Sequence, residues 1–392
     1  MPKPRLVVIT NIPSPYRLHT FALLHEEMER RGFALEVLFM AISESGRYWT
    51  VNPKEWQFSG HLASGIHPHL LGMEMHLNPG IWGTVLRNPP RWLIIGGGWQ
   101  FPTSLGLFLL KPFYRRRTSM LVWSEANYRF SSHSRGIVNY LRRSVLGSSD
   151  ALVIPGEVAR KTLYEHWQIA PSKIIYWPNL VDETQFNKRV VELRVQRAAL
   201  RTKYQIPEKN IVLFWSASLN EYTKGNLNFL EAIAPVATPN LSILLAGEGP
   251  NRTRIEQMIR SHPELDVRLL GHVSTDIVLE CLALSNVAIL PSLRDSNPLA
   301  IIEAMWAELP ILTSVNCGNW PETIRPGKNG WLIDPACPEQ ITQAVREILT
   351  CSPGQLASMG KESLALAQEH FESRRMITRF VDDLTTAFPS QI

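Results

Sequence analysis

Residues 291–322 read PSLRDSNPLAIIEAMWAELPILTSVNCGNWPE. In this stretch a loop carries Asp295, a helix carries Glu303, a buried strand covers 309–314, and a second loop turns around Gly318. Asp295, Ser296 and Asn297 stand where side chains cap a helix. Pro298 suits the first helical position, because its missing N–H would be unpaired anyway. The free N–H groups of that turn and the positive end of the helix dipole form a site for a phosphate. Glu303 lies more than one turn further in. An acid at the mouth, a phosphate-sized anion site and a deeper acid suit one elongated ligand with hydroxyls at both ends. A sugar nucleotide is such a ligand.

The spacing of the two acids is weak by itself. With 35 acidic residues in 392, about three pairs at this offset arise by chance, and a capped helix with a solvated Glu fits equally. The surrounding pieces are more specific. Asp295-Ser-Asn-Pro-Leu-Ala-Ile-Ile-Glu303-Ala-Met is followed by Leu309-Pro310-Ile311 and by Cys317-Gly318-Asn-Trp-Pro-Glu322. Upstream stand PNLVD (178–182), SLNEYTKG (218–225), LLAGEGP (244–250) and VRLLGHVS (267–274). In this order the pieces resemble the retaining glycosyltransferases of family 4 (glycosyl transferases group 1). Their signature is an acid, seven residues and Glu, written E-G-F-G-x-x-x-x-E-A-M, then a G-x-P-V strand and a Gly-Gly-x-x-E loop. The resemblance implies the GT-B fold, an α/β architecture of two doubly wound, Rossmann-like parallel-sheet domains facing a central cleft.

The length points to two domains independently, since single cores stop growing near 250–300 residues. Apolar runs at 6–10, 35–40, 92–95, 120–124 and 151–155 alternate with helical segments, one of them 19–31. The pattern restarts with strands at 211–216, 241–246, 267–270 and 287–290, and helices at 227–234, 251–261 and 277–284. Residues 48–90 read as irregular and are expected to help shape the acceptor side. PNLVD reads as the end of the first sheet, and 182–210 as a charged linker with a short helix. The expected domains are 1–188 on the acceptor side and 189–372 on the nucleotide-sugar side. In the resembled family a last helix, here 373–392, crosses back to the first domain.

The same resemblance assigns roles. Lys224, before Gly225, is expected to neutralise the donor diphosphate, where the leaving group gains charge as the glycosidic bond breaks. Asp295 is expected on the hydroxyls of the transferred sugar and Glu303 on the ribose hydroxyls. The N–H groups of Asn297 and Leu299 are expected on the distal phosphate; Pro298 has none to give. Gly247 and Gly249 mark either a close approach of backbone to the nucleotide or an ordinary strand-to-helix turn. Where the family commonly has Gly-Arg, this chain has Ala217-Ser218. Ser218 therefore stands at the donor site without the second cation, and Arg294 and Arg17 are the candidates to replace it.

NIPSPYR (11–17) and WSEAN (123–127) resemble a subset of members with a Pro-Tyr-Arg loop and a Trp-Ser-Glu motif. Arg17 is then a candidate for an acceptor phosphate or hydroxyl. Glu125, with Asn127 beside it, is a candidate to orient or deprotonate the acceptor. The alternative for Glu125 is a strand-end pair with Arg129. There is no D-x-D motif, and the resemblance implies a metal-independent reaction with no cofactor besides the UDP- or GDP-sugar. Front-face attack then needs neither acid as a glycosidase-type nucleophile.

Charge is uneven. Residues 1–188 hold 21 Lys/Arg against 13 Asp/Glu, a net +8, whereas the rest holds 19 against 22, a net −3. Lys111, Arg115, Arg116 and Arg117 follow the apolar run 105–110, with Arg142 and Arg143 soon after. That pattern fits either peripheral contact with an anionic membrane or a solvated basic surface. No nucleic-acid motif accompanies it. Four dispersed Cys and the lack of a spanning apolar run favour a cytoplasmic protein, peripheral on the membrane face if the first alternative holds. The acceptor is expected to be a glycan, a glycolipid or a small molecule. Two other functions fit the same residues, a non-catalytic sugar-nucleotide-binding partner subunit and a GT-B sugar-nucleotide epimerase. A nicotinamide dehydrogenase fits poorly, because Gly96-Gly97-Gly98 runs into Trp-Gln-Phe-Pro rather than a G-x-G-x-x-G helix.

Overall fold

Strands made of uninterrupted apolar residues need cover on both faces, and the computed structural model supplies it. It describes residues 3–44, 51–70, 73–129 and 136–389. The chain divides into two units, Met1–Leu180 with Ser373–Ile392, and Val181–Glu372. The division falls at Leu180/Val181, before the expected 188/189.

The first unit contains β1 (Arg5–Thr10), β2 (Ala34–Phe39), β3 (Gly60–Leu62), β4 (His69–Leu70), β5 (Met73–Glu74), β6 (Trp92–Ile95), β7 (Ser119–Trp123), β8 (Ala151–Ile154) and β9 (Ile174–Tyr176). Its main sheet is parallel, in the order β3-β2-β1-β6-β7-β8-β9. β4 and β5 form a separate antiparallel pair. Val7, Ile9, Leu93 and Ile95 face helices Pro79–Arg87 and Pro102–Tyr114 through Ile81, Val85, Leu107 and Tyr114. Helix Ser373–Ala387 belongs to this unit. Phe380 stacks on Trp177 with centroids 4.3 Å apart, Trp177 stacks on Trp123 at 4.5 Å, and Arg31 pairs with Asp382 at 2.5 Å.

The second unit contains β10 (Ile211–Ser216), β11 (Leu241–Ala246), β12 (Asp266–Gly271), β13 (Val287–Leu290), β14 (Ile311–Ser314) and β15 (Gly330–Ile333). They form one parallel sheet in the order β12-β11-β10-β13-β14-β15. Renumbered from its own start, that is the dinucleotide-fold order 3-2-1-4-5-6. The first sheet follows the same order with one strand added.

PNLVD follows β9, the last strand of the first unit, and the division between the units falls within it, as expected of the end of the first sheet. Three expectations need correction. Residues 182–210 are mostly helical (Gln185–Arg189, Val190–Arg194 and Arg197–Lys203) and belong to the second unit. Arg201 anchors them from within: fully buried, it donates to Glu208 O at 2.5 Å, Asn210 O at 3.0 Å and Asn286 Oδ1 at 2.9 Å. The stretch expected to be irregular holds β3, the β4–β5 pair and helix Pro79–Arg87; its Tyr48–Thr50 and Leu71–Gly72 lie outside the described residues. The first helix begins at Pro15, four residues before the expected start, which puts Arg17 in its first turn.

Candidate active site

In a sheet of this order the connections leave β10 and β13 in opposite directions and open a crevice at their carboxyl ends. Two loops rise there, 217–220 after β10 and 291–298 after β13. The first is laced to the loop after β11. Ala217 N donates to Ala246 O at 3.0 Å, and Leu219 N donates to Glu248 O at 2.9 Å. A Cβ on Gly247 would lie 1.9 Å from Ala217 O, and one on Gly249 2.5 Å from Leu219 O. Loop packing alone therefore accounts for both glycines. Ser218 is exposed on the same loop.

The short helix Glu221–Lys224 follows, with Asn220 accepting from Thr223 N at 3.3 Å. Gly225, at φ 63°, ends it in the left-handed region. Glu221 turns to the next helix and accepts from Leu227 N at 2.7 Å and Asn228 N at 3.1 Å. Lys224 reaches across instead, and its Nζ pairs with Asp295 Oδ2. The loops also meet through backbone, with Arg294 N donating to Thr223 O at 2.8 Å. The Arg294 guanidinium lies 4.2 Å over the Tyr222 ring and donates to its hydroxyl.

Helix Leu299–Trp306 starts one residue later than expected. Pro298 occupies its N-cap position, and no side-chain cap is made. Asp295, Ser296 and Asn297 do not cap it, because the following loop holds them elsewhere. Gly318 N donates to Asp295 O at 2.9 Å, and Asn319 Nδ2 donates to Pro298 O at 2.9 Å. A Cβ on Gly318 would come within 1.7 Å of Ser296 O. Gly318→Ala must push the two loops apart, so its melting temperature is expected to fall by roughly 5 °C or more, readable by calorimetry. The N–H groups of Asn297 and Leu299 donate to no protein acceptor among the described residues, as at any uncapped helix start. Asn297 is buried with its Oδ1 unpartnered.

Glu303 projects from this helix into a small, largely apolar pocket lined by Phe214, Ser216, Ala288, Leu290, Ala300 and Ile311. No hydrogen-bond partner meets its carboxyl among the described residues. Burial pushes its pKa up to about 7. A carboxyl without a partner in a largely apolar lining ionises more readily once a ligand brings a donor to it.

In the first unit, Arg17 donates to Asn11 Oδ1 at 2.7 Å and to Thr10 Oγ1, and its guanidinium lies 5.5 Å over the Trp123 ring. Asn11 Nδ2 donates to Glu44 Oε1 at 2.7 Å, which is 2.9 Å from His76 Nε2; His76 Nδ1 is 2.9 Å from His67 Nδ1. A carboxylate oxygen can only accept, so His76 Nε2 donates to Glu44 Oε1. This chain, with His76 fully buried, fixes the Asn11 amide that holds Arg17. The sequence offered no signal for Glu44, His67 or His76, which lie tens of residues from Arg17. Glu125 accepts from Asn179 Nδ2, a PNLVD residue, at 3.0 Å. Arg129, named as the alternative partner of Glu125, lies over the Tyr128 ring, and its backbone N–H donates to Asn127 Oδ1 at 3.1 Å. Thus Lys224, Asp295, Arg294 and Asn297 gather in one unit, with Glu303 one turn along the same helix. Arg17 and Trp123 gather in the other. Among the described residues no group of three or more His, Cys, Asp or Glu is arranged to hold a metal ion.

Comparison with known proteins follows the same division. The model of the family described as Glycosyl transferases group 1 matches residues 196–364. The N-acetyl-alpha-D-glucosaminyl L-malate synthase of Bacillus anthracis is 24% identical over 254 residues, 64% of this chain and 60% of that protein. The chain therefore spans less than two thirds of this relative. Among solved structures, Anabaena HepE in complex with UDP-glucose superposes with a TM-score of 0.72 at 13% identity, covering 98% of this chain and 100% of that one. A glycosyltransferase from Rickettsia africae gives 0.76 at 13% identity over the whole of both chains. At such identities the structural likeness speaks for the fold alone. Residues 196–364 thus match the glycosyl transferases group 1 domain, in a chain whose two Rossmann-like units have the GT-B fold.

Proposed function

We propose that the chain is a retaining glycosyltransferase that moves a hexosyl-type sugar from a UDP- or GDP-sugar to a glycan, glycolipid or small-molecule acceptor. One observation carries this: an ammonium, a carboxylate, open helix N–H groups and a solitary carboxyl converge at the switch point of a dinucleotide-ordered sheet. A nucleotide diphosphate with its sugar offers anionic and hydroxyl groups to such a set. Lys224 and the start of helix Leu299–Trp306 take the diphosphate, Asp295 the sugar hydroxyls, and Glu303 the ribose. HepE in complex with UDP-glucose supports this class of donor.

In the proposed step the bond from the anomeric carbon to the β-phosphate oxygen breaks, and the acceptor oxygen bonds to the same carbon from the same face. The acceptor proton passes to the departing phosphate oxygen. Lys224, Arg294 and the helix end offset the charge that develops there, the work a metal ion does in other transferases. On the acceptor side, Arg17 and Glu125 are proposed to orient the acceptor, with Asn127 shaping the turn beside Glu125.

A second function, a non-catalytic binding subunit, draws on Asp295 being engaged by Lys224 and on the exposed Ser218. Isothermal titration with UDP and GDP, run beside a transfer assay over a panel of nucleotide sugars and acceptors, separates the two. Transfer with retained anomeric configuration is the expected result. Tight nucleotide binding without turnover across the panel would remove the catalytic proposal.

A further inference from the structure

In the first unit, the helices Pro102–Tyr114 and Ile137–Ser148 each carry several exposed large apolar side chains. On the first, Leu105, Leu109 and Phe113 form a stripe at four-residue spacing, with Leu109 79% and Phe113 78% exposed. On the second, Ile137 is 75% and Tyr140 70% exposed, with Val138 and Leu141 beside them, and only Leu146 reaches the core.

The two helices are neighbours on one face of the sheet. They make the successive crossovers β6 to β7 and β7 to β8 in one direction, and right-handed crossovers of that kind stay on one side. Lys111 ties the end of the first helix to Ser148 O at 2.5 Å and to Asp150 at 2.9 Å. The Arg142 guanidinium spans from the Trp99 ring at 6.0 Å to Trp167 at 5.0 Å. Solitary exposed leucines need no explanation, but seven large apolar side chains on two adjacent helices do.

Charge identifies what covers them. Neither helix contains an acidic residue, while Lys111, Arg142 and Arg143 lie on them and Arg115, Arg116 and Arg117 follow the first directly. A symmetric pairing with a second copy would set these cations against themselves. An apolar surface on helices whose only charged residues are cations matches the acyl boundary and headgroups of an anionic bilayer. We propose that this face docks the chain on an anionic membrane, lying on the surface rather than crossing it. No helix among the described residues is long and apolar enough to cross.

The proposal is independent of the donor site and is tested without substrate. The full chain is floated with vesicles of phosphatidylglycerol and phosphatidylcholine, and with phosphatidylcholine alone. The expected result is binding to the anionic vesicles only, weakening as salt rises. Leu109→Ser with Phe113→Ser should lower that binding at least about fivefold, and so, separately, should Arg115→Gln with Arg116→Gln and Arg117→Gln. Circular dichroism should be unchanged, because the substituted side chains are exposed. Wild-type chain left unbound by anionic vesicles would overturn the proposal, and so would equal binding by wild type and both variants. A dimer in light scattering that Leu109→Ser with Phe113→Ser converts to monomer would assign the face to a second copy instead.

Discussion

Lys224→Ala is expected to lower sugar transfer by between about a hundredfold and a thousandfold at saturating donor, the range seen when one preorganised donor to a developing oxyanion is removed. The geometry also sets the sign of two companion effects. Lys224 and Asp295 are ion-paired across two loops, so each modifies what the other offers a ligand. With Lys224 gone, Asp295 stands uncompensated at the proposed diphosphate site, and like-charge repulsion adds to the lost attraction. UDP should therefore bind Lys224→Ala more weakly than Lys224→Ala with Asp295→Ala. Asp295→Ala alone frees the ammonium for the diphosphate, so it should hold UDP at least as tightly as wild type while losing transfer. Titration calorimetry with UDP on the three variants, beside initial-rate assays, completes the cycle. If Asp295→Ala weakened UDP as much as Lys224→Ala, the pair would be holding the loops rather than serving the ligand.

Most strands were legible because a parallel strand covered on both faces must be an unbroken apolar run. The expected strands at 211–216, 241–246 and 287–290 coincide with β10, β11 and β13. β3 was not, since Gly60-His61-Leu62 lies at the sheet edge with two of its three residues exposed. The helices between 185 and 203 were hidden by their charge. Lys188, Arg189, Arg194, Arg197 and Arg201 read as a solvated linker, and burial of Arg201 depends on carbonyls that only the fold brings to it. In the candidate site, the family resemblance supplied Lys224 and Asp295 separately. Their pairing spans 71 residues and follows from the adjacency of β10 and β13, which local patterning does not reveal. The one-residue error at Pro298 has the same origin. Asp295 to Asn297 have the composition of a cap, but hydrogen bonds from Gly318 and Asn319 hold this approach to the helix in another conformation.

Glu303→Gln should separate the fold's interest in this residue from the ligand's. The glutamine copies the shape of the protonated acid and cannot ionise. Because burial raises the folded-state pKa from 4.5 to about 7, the native chain holds a proton here that the unfolded chain has already released. The stabilisation is thus complete below about pH 4.5 and is lost as pH rises toward 7, amounting to about 3 kcal/mol overall. Denaturation curves of wild type and Glu303→Gln should agree near pH 4.5 and diverge above it, with the glutamine chain the more stable at pH 8. Ligand binding runs the other way. Ribose hydroxyls donate to a carboxylate, so a nucleotide selects the ionised form and must expel the proton whenever the pH lies below about 7. Wild-type affinity for UDP or GDP, whichever binds, should climb through that window and level off above it. In Glu303→Gln the dependence arising from this carboxyl should vanish, with transfer reduced at least about tenfold. Titrations in two buffers of unequal ionisation enthalpy count the protons directly. Equal proton release by both chains at pH 6 would mean that the Glu303 carboxyl does not meet the nucleotide. Its burial would then serve helix packing alone.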